Sequence, residues 1–180
     1  MLKIYIPGGE SYDERTNEFL YAEGMQITLE HSLLSISKWE SKWKKPFLSN
    51  KPLTIEEFRD YVRCMTLTTN INPLLYNFLT EDNIRTIEEY IKDPMTATWF
   101  TDKDRKKGKK EVNTSEVFYY MMFVNQIPKE CEKWHFNRLM TLLRVFAEKN
   151  GPEKKMSKSE IYARNKALNA QRRAKYHTKG

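Results

Sequence analysis

Two apolar runs separated by Pro128 fill the stretch from Asn113 to Phe146, and they limit the folds open to this chain more than any other segment. The first run opens on Asn113 or Thr114 as N-cap, with Glu116 three residues after Asn113 completing a capping box. Val117, Tyr120, Met121 and Val124 then recur at spacings of three and four, marking one face of a helix. Pro128 suits the first turn of a second helix, where its missing N–H costs nothing. Cys131, Trp134, Leu139, Leu142, Leu143 and Phe146, with the stem of Arg138, line one stripe of that helix. Phe136, Met140 and Val145 widen the stripe beyond what a surface helix needs. A helix apolar around most of its girth is buried on most sides, or is covered by a partner. The helical hairpin is therefore expected to form the core.

The flanking segments fill in the rest. LKIYI before Pro7-Gly8-Gly9, then FLY and the alternating MQITL, predict a small antiparallel N-terminal hairpin at the edge of the fold. From about Leu29 the period changes, and Leu29, Leu33, Ile36, Trp39 and Trp43 fall on one helical stripe that ends before Pro46. Thr54-Ile55-Glu56-Glu57 is a capping box that opens a helix through Phe58, Tyr61, Val62 and Met65. Pro73 starts a short helical turn, and Thr80 or Asp82 caps a helix through Ile84, Ile87, Tyr90 and Ile91 that Asp93-Pro94 stops. MTATWF and KKEVN flank a charged loop that fits a second short hairpin near 96–113, or equally a tolerated surface insertion. Ser157-Lys158-Ser159-Glu160 is a further capping box, opening a helix with a thin apolar stripe of Ile161, Ala163, Ala167, Leu168 and Ala170. The expected fold class is mainly α: a helical bundle around the central hairpin, with a small N-terminal β-hairpin and a basic C-terminal helical arm.

Charge divides the chain. Residues 149–180 hold ten Lys and Arg against Glu153 and Glu160, a balance of +8 within the total of +7. What remains in 1–148 is 21 basic and 22 acidic residues, a balance of −1. The expected organisation is a neutral helical body over 1–148 and a basic arm over 149–180. The arm can neutralise phosphates, bind an acidic or helical protein as an amphipathic segment, or simply keep the chain solvated. Base-stacking side chains in it are limited to Tyr162 and Tyr176. No run of 18 apolar residues occurs and no secretory h-region is visible, so a cytoplasmic protein with no membrane partner is expected. Cys64 and Cys131, each inside a helical pattern, read as buried free thiols in a reducing compartment.

Motifs for chemistry are scarce. Cys131 and His135 are spaced i, i+4 and could both touch a metal, but no second ligand pair accompanies them. The alternative is core packing for Cys131 and a partly exposed, hydrogen-bonded His135. Glu56/Glu57 and Glu88/Glu89 read as first-turn or surface charge rather than an acid–base pair. No phosphate-binding glycine loop, nucleophile elbow or zinc-protease motif occurs. No catalytic residue, cofactor or metal is expected. Trp39 and Trp43, one turn apart, read either as an anchor for a partner or as core residues.

The segments SLLSISKWESKWKKPFL, MTATWF, IPKECEKWHFNRLMTLLRV and KKMSKSEIYARNKALNAQRRA resemble the tail assembly chaperones of tailed bacteriophages with long flexible tails (siphophages). The resemblance runs from about Leu29 to Gly180. The chain departs from it in the aromatic stretch Phe118–Ile127 and in Phe146, where a cysteine would be expected. It implies a non-catalytic assembly factor of the host cytoplasm, absent from the mature virion and often made in two lengths by ribosomal frameshifting. Such a factor coats the tape measure protein and hands it to the major tail tube protein. On that view Trp39, Trp43 and Trp134 meet tape measure helices, while the arm, with Arg164, Arg172 and Arg173, contacts a second copy or the tube protein. Competing readings are a basic nucleic-acid-binding accessory protein and a structural neck or tail component of the virion.

Overall fold

The structure, a computed structural model of the chain, describes residues 1–49, 51–98, 113–150 and 158–176. It is mainly helical, and the chain divides into two compact units, Met1–Phe146 and Ala147–Gly180. The division falls two residues earlier than the charge pattern places it.

The first 29 residues form β1 (Leu2–Ile6), β2 (Gly9–Asp13), β3 (Glu18–Ala22) and β4 (Met25–Leu29). β1 pairs antiparallel with β4 from Leu2↔Leu29 to Ile6↔Met25, and β2 with β3 from Gly9↔Ala22 to Asp13↔Glu18. The two ladders are successive lengths of one hairpin, interrupted at Pro7-Gly8 and Glu23-Gly24. The backbones close on each other there: a Cβ on Gly8 would collide with the Ala22 carbonyl and the Gly24 amide. At the tip, Asp13 accepts the Arg15 N–H at 2.9 Å and Asn17 takes a left-handed φ of 56°. The hairpin is longer than expected and is no edge ornament. Ile4, Ile6, Ile27 and Leu29 are core residues, because period-two alternation puts all four on one face of the β1–β4 ladder.

The centre of the fold is α1 (Leu33–Trp43), which packs against α2 (Ile55–Met65), against α4 (Ser115–Val124) and against a 3-10 segment at Lys129–Lys133. Its first two turns are buried nearly all round, by Leu33, Ser35, Ile36, Trp39 and Glu40. Ser32 caps it through Ser35, and the Leu29 of the expected stripe is instead the last residue of β4. The capping box at Thr54 forms as read: Thr54 Oγ1 accepts from the Glu57 N–H at 3.2 Å, and Glu57 Oε2 from the Thr54 N–H at 2.8 Å. Pro73–Phe78 is a 3-10 turn, and Thr80 caps α3 (Glu81–Lys92), which buries Ile87 and Tyr90. β1 packs on both.

The 113–146 stretch differs from the expected hairpin in three respects. Pro128 opens the short 3-10 segment, and the long helix α5 (Phe136–Asn150) begins only after Trp134-His135. The chain at that break is pinned from outside, by the Phe136 N–H donating to the His31 carbonyl at 2.7 Å. Thr114, the N-cap of α4, makes no side-chain cap, so the expected Asn113–Glu116 box is not what starts this helix. Finally, α1 rather than this stretch is the element around which the others are laid. The expected hairpin near 96–113 falls largely in 99–112, and Ser157 of the last capping box also lies outside the described residues. The basic arm contains the helix α6 (Lys158–Tyr176).

Candidate partner-binding surface

Helix α4 carries SEVFYYMMFV, apolar in every direction, so periodicity cannot say which face turns inward. One contact from outside the helix fixes that choice. Glu40, buried on α1, accepts the Ser115 N–H on Oε2 at 2.8 Å and the Phe47 N–H on Oε1 at 2.8 Å. It takes the place of an N-cap side chain and sets α4 with Ser115, Phe118 and Met122 against the core. Phe118 meets Phe136 edge-on, their centroids 5.2 Å apart. At the other end Ile127 and Gln126 donate to the Met122 and Phe123 carbonyls at 2.9 and 3.1 Å, a Schellman closure.

The consequence is a second apolar stripe on the opposite side. Tyr120, Phe123 and Val124 are 68%, 64% and 61% exposed. The stripe read from the sequence as one helix face, Val117-Tyr120-Met121-Val124, is therefore split. Val117 and Met121 are half-buried, whereas Tyr120 and Val124 face solvent. Large apolar groups held outward at spacings of three and four are the pattern by which one helix seats another. The sequence signal was present as surplus hydrophobicity; its direction was not.

The three tryptophans expected to meet a partner separate. Trp39 is 1% exposed, and its indole N–H donates to the Glu57 carbonyl at 2.9 Å. It belongs to the core, and the expectation that it meets a partner is withdrawn. Trp43 stacks on Trp39 at 6.0 Å and donates to Asp60 Oδ2 at 2.9 Å, with the ammonium groups of Lys42 and Lys45 over its ring. Its faces are largely taken. Trp134 stands at the surface under the Arg138 guanidinium, 4.5 Å from the ring centroid.

The acids nearby are structural. Asp60 is desolvated, which pushes its carboxyl up. Hydrogen bonds from Lys42 and Trp43 outweigh that and leave it below the usual carboxylate range. Glu57, expected on the surface, is buried, and the hydrogen bond it accepts from Lys45 is the main cause of its lowered pKa. Both stay ionised and partnered at neutral pH.

Cys131 and His135 do not share a helix face. Cys131 lies in the 3-10 segment, while His135 is buried and packs edge-on against His31 at 5.1 Å and Tyr90 at 4.9 Å. The expectation of a partly exposed His135 is corrected: its Nε2–H donates to the Tyr90 carbonyl at 3.0 Å, and Nδ1 accepts from the Asn137 N–H at 3.3 Å. Both nitrogens are used by the neutral ring. Among the described residues no group of three or more His, Cys, Asp and Glu could hold a metal. Both cysteines are free; burial pushes the Cys64 thiol up to about 11.

In the second unit, α6 presents Arg164, Arg172 and Arg173 at exposed positions, with Tyr162 and Tyr176 also exposed. Among the described residues no helix is long and apolar enough to cross a membrane. No family model, curated protein or solved structure matches the chain.

Proposed function

We propose that this protein is a non-catalytic tail assembly chaperone that covers apolar helices of a tape measure protein in the host cytoplasm and releases them to the major tail tube protein. The observation that carries the reading is the doubled apolar face of α4. Phe118 and Met122 satisfy the core, while Tyr120, Phe123 and Val124 project from the same helix at exposed positions. A client helix would cover that stripe with its own apolar face. Burying one such side chain is worth about 1.5–3 kcal/mol, so three support weak, reversible binding that a polymerising tube can displace. The resemblance of the segments from Leu29 onward supports the choice of client, and the arm supplies a separate contact.

Co-purification with the tape measure protein tests this. Tyr120→Ser with Phe123→Ser should abolish recovery while leaving the far-UV spectrum unchanged. Undiminished recovery would overturn the proposed surface. The exposed cations of α6 favour a second reading, nucleic-acid binding. It predicts micromolar duplex or single-strand binding that weakens steeply with salt and is lost in Arg172→Glu with Arg173→Glu.

A further inference from the structure

The β2–β3 length of the hairpin is a two-stranded ribbon, a form that is marginal alone and is usually covered. Its register places Glu10 opposite Tyr21 and Tyr12 opposite Phe19, so these four side chains share one face. The other face is occupied where the Phe78 ring lies against Gly9, and at the edge of β3 Asn72 Nδ2 donates to the Tyr21 carbonyl at 3.3 Å. The first face is open. Phe19 and Tyr21 are 74% and 61% exposed, and Tyr12 lies 5.1 Å from Phe19, with Tyr5 of β1 exposed nearby on the same hairpin. Residues 9–24 carry Glu10, Asp13, Glu14, Glu18 and Glu23 against Arg15 alone, a balance of −4. An acidic, aromatic ribbon calls for a cationic and partly apolar cover.

The same chain carries such a cover. Over Lys158–Tyr176 there are six Lys and Arg against Glu160, a balance of +5. Ile161, Arg164, Leu168, Arg172 and Lys175 follow one another at spacings of three and four, so one side of α6 combines aliphatic and cationic groups. Guanidinium and ammonium groups over Tyr and Phe rings gain cation–π attraction as well as ion pairing.

We propose that α6 of one copy docks across the open face of the β2–β3 ribbon of a second copy, and that reciprocal exchange of the two arms gives a closed two-fold dimer. The partner is a second copy because each copy carries both complementary surfaces, so two copies can satisfy both at once in a closed pair; a chain that covered its own ribbon would stay monomeric. The inference goes beyond the client reading and does not rest on it, since it uses neither α4 nor any tail protein.

Sedimentation of the full-length chain tests it. A species of twice 21.6 kDa is expected at about 50 mM salt, dissociating toward monomer at about 500 mM as the charges are screened. Arg172→Glu with Arg173→Glu, and Glu10→Lys with Glu23→Lys, should each weaken the dimer at least about tenfold. Phe19→Ser should weaken it without altering net charge. Mixing the two charge-reversed chains should restore a dimer of one of each, which misfolded variants could not do. A chain that stays monomeric at every concentration and salt, or a dimer indifferent to both reversals, would overturn the proposal. So would failure of the reversed pair to associate.

Discussion

His31 stands where three lengths of chain cross. Its carbonyl accepts from Phe136, its Nδ1 shares a hydrogen bond with the Tyr61 hydroxyl, and its ring meets His135 edge-on. Burial, and then the neighbouring His135, lower its pKa to about 3; burial also lowers that of His135. Both rings are neutral in the folded chain, whereas exposed imidazoles titrate near 6.5. Between those values the unfolded chain binds more protons, so stability is full above about pH 6.5 and falls as pH drops toward 3. From about pH 7 to about pH 5, His31 alone should remove about 2 kcal/mol, read from urea midpoints. His31→Asn should lower stability at neutral pH and flatten that slope; a slope unchanged by the substitution would refute the assignment. Gln126 gives a residue-level prediction of opposite sign. It closes α4 at φ 54°, a position that favours glycine, so Gln126→Gly should raise the unfolding free energy, read from urea titration, by about 0.5–1 kcal/mol. Neither position announces itself in the sequence. A histidine two residues before a helix has no period to mark it, and Gln126 occupies a turn usually marked by Gly or Asn.

At the scale of elements, local signals were legible where the reason was local. The Thr54 box, the Thr80 cap and Pro73 lie where the sequence put them, because capping depends on residues three apart. The inward face of α4 was not legible, because it is decided by Glu40, 75 positions before Ser115. Glu40→Ala would strand the buried Ser115 amide and the half-buried Phe47 amide and should destabilise the body by about 2–4 kcal/mol in urea unfolding. Loss of the Tyr120 and Phe123 rings removes nothing from the core, so Tyr120→Ser with Phe123→Ser should leave the unfolding free energy in urea within about 0.5 kcal/mol of the parent. That pair of results would separate the helix's two faces, one holding the fold and the other serving a partner. The same logic explains the hairpin: alternation revealed strands, but only their register shows that β1 and β4 bury Ile4 and Ile27 while β2 and β3 hold Tyr12 and Phe19 in the open.

At the scale of the whole chain, apolar burial and charge are segregated by position. Every core residue among those described lies between Ile4 and Leu143, and residues 161–176 are exposed throughout. That separation was visible in the sequence as a charge imbalance, since a stretch so rich in Lys and Arg cannot meet the entropy cost of folding by burying apolar area. A chain ending at residue 150 retains 22 basic and 22 acidic residues. It should therefore unfold within about 2 °C of the full chain in calorimetry, because nothing of the core is removed. It should also lose the solubility that net charge confers, with light scattering rising near neutral pH as Tyr120, Phe123 and Phe19 find one another. Client recovery through α4 should survive the truncation while self-association through α6 disappears. If the shortened chain bound the client no better than Tyr120→Ser with Phe123→Ser, the client would have to be held by the arm, and the division of labour argued for the two units would be lost.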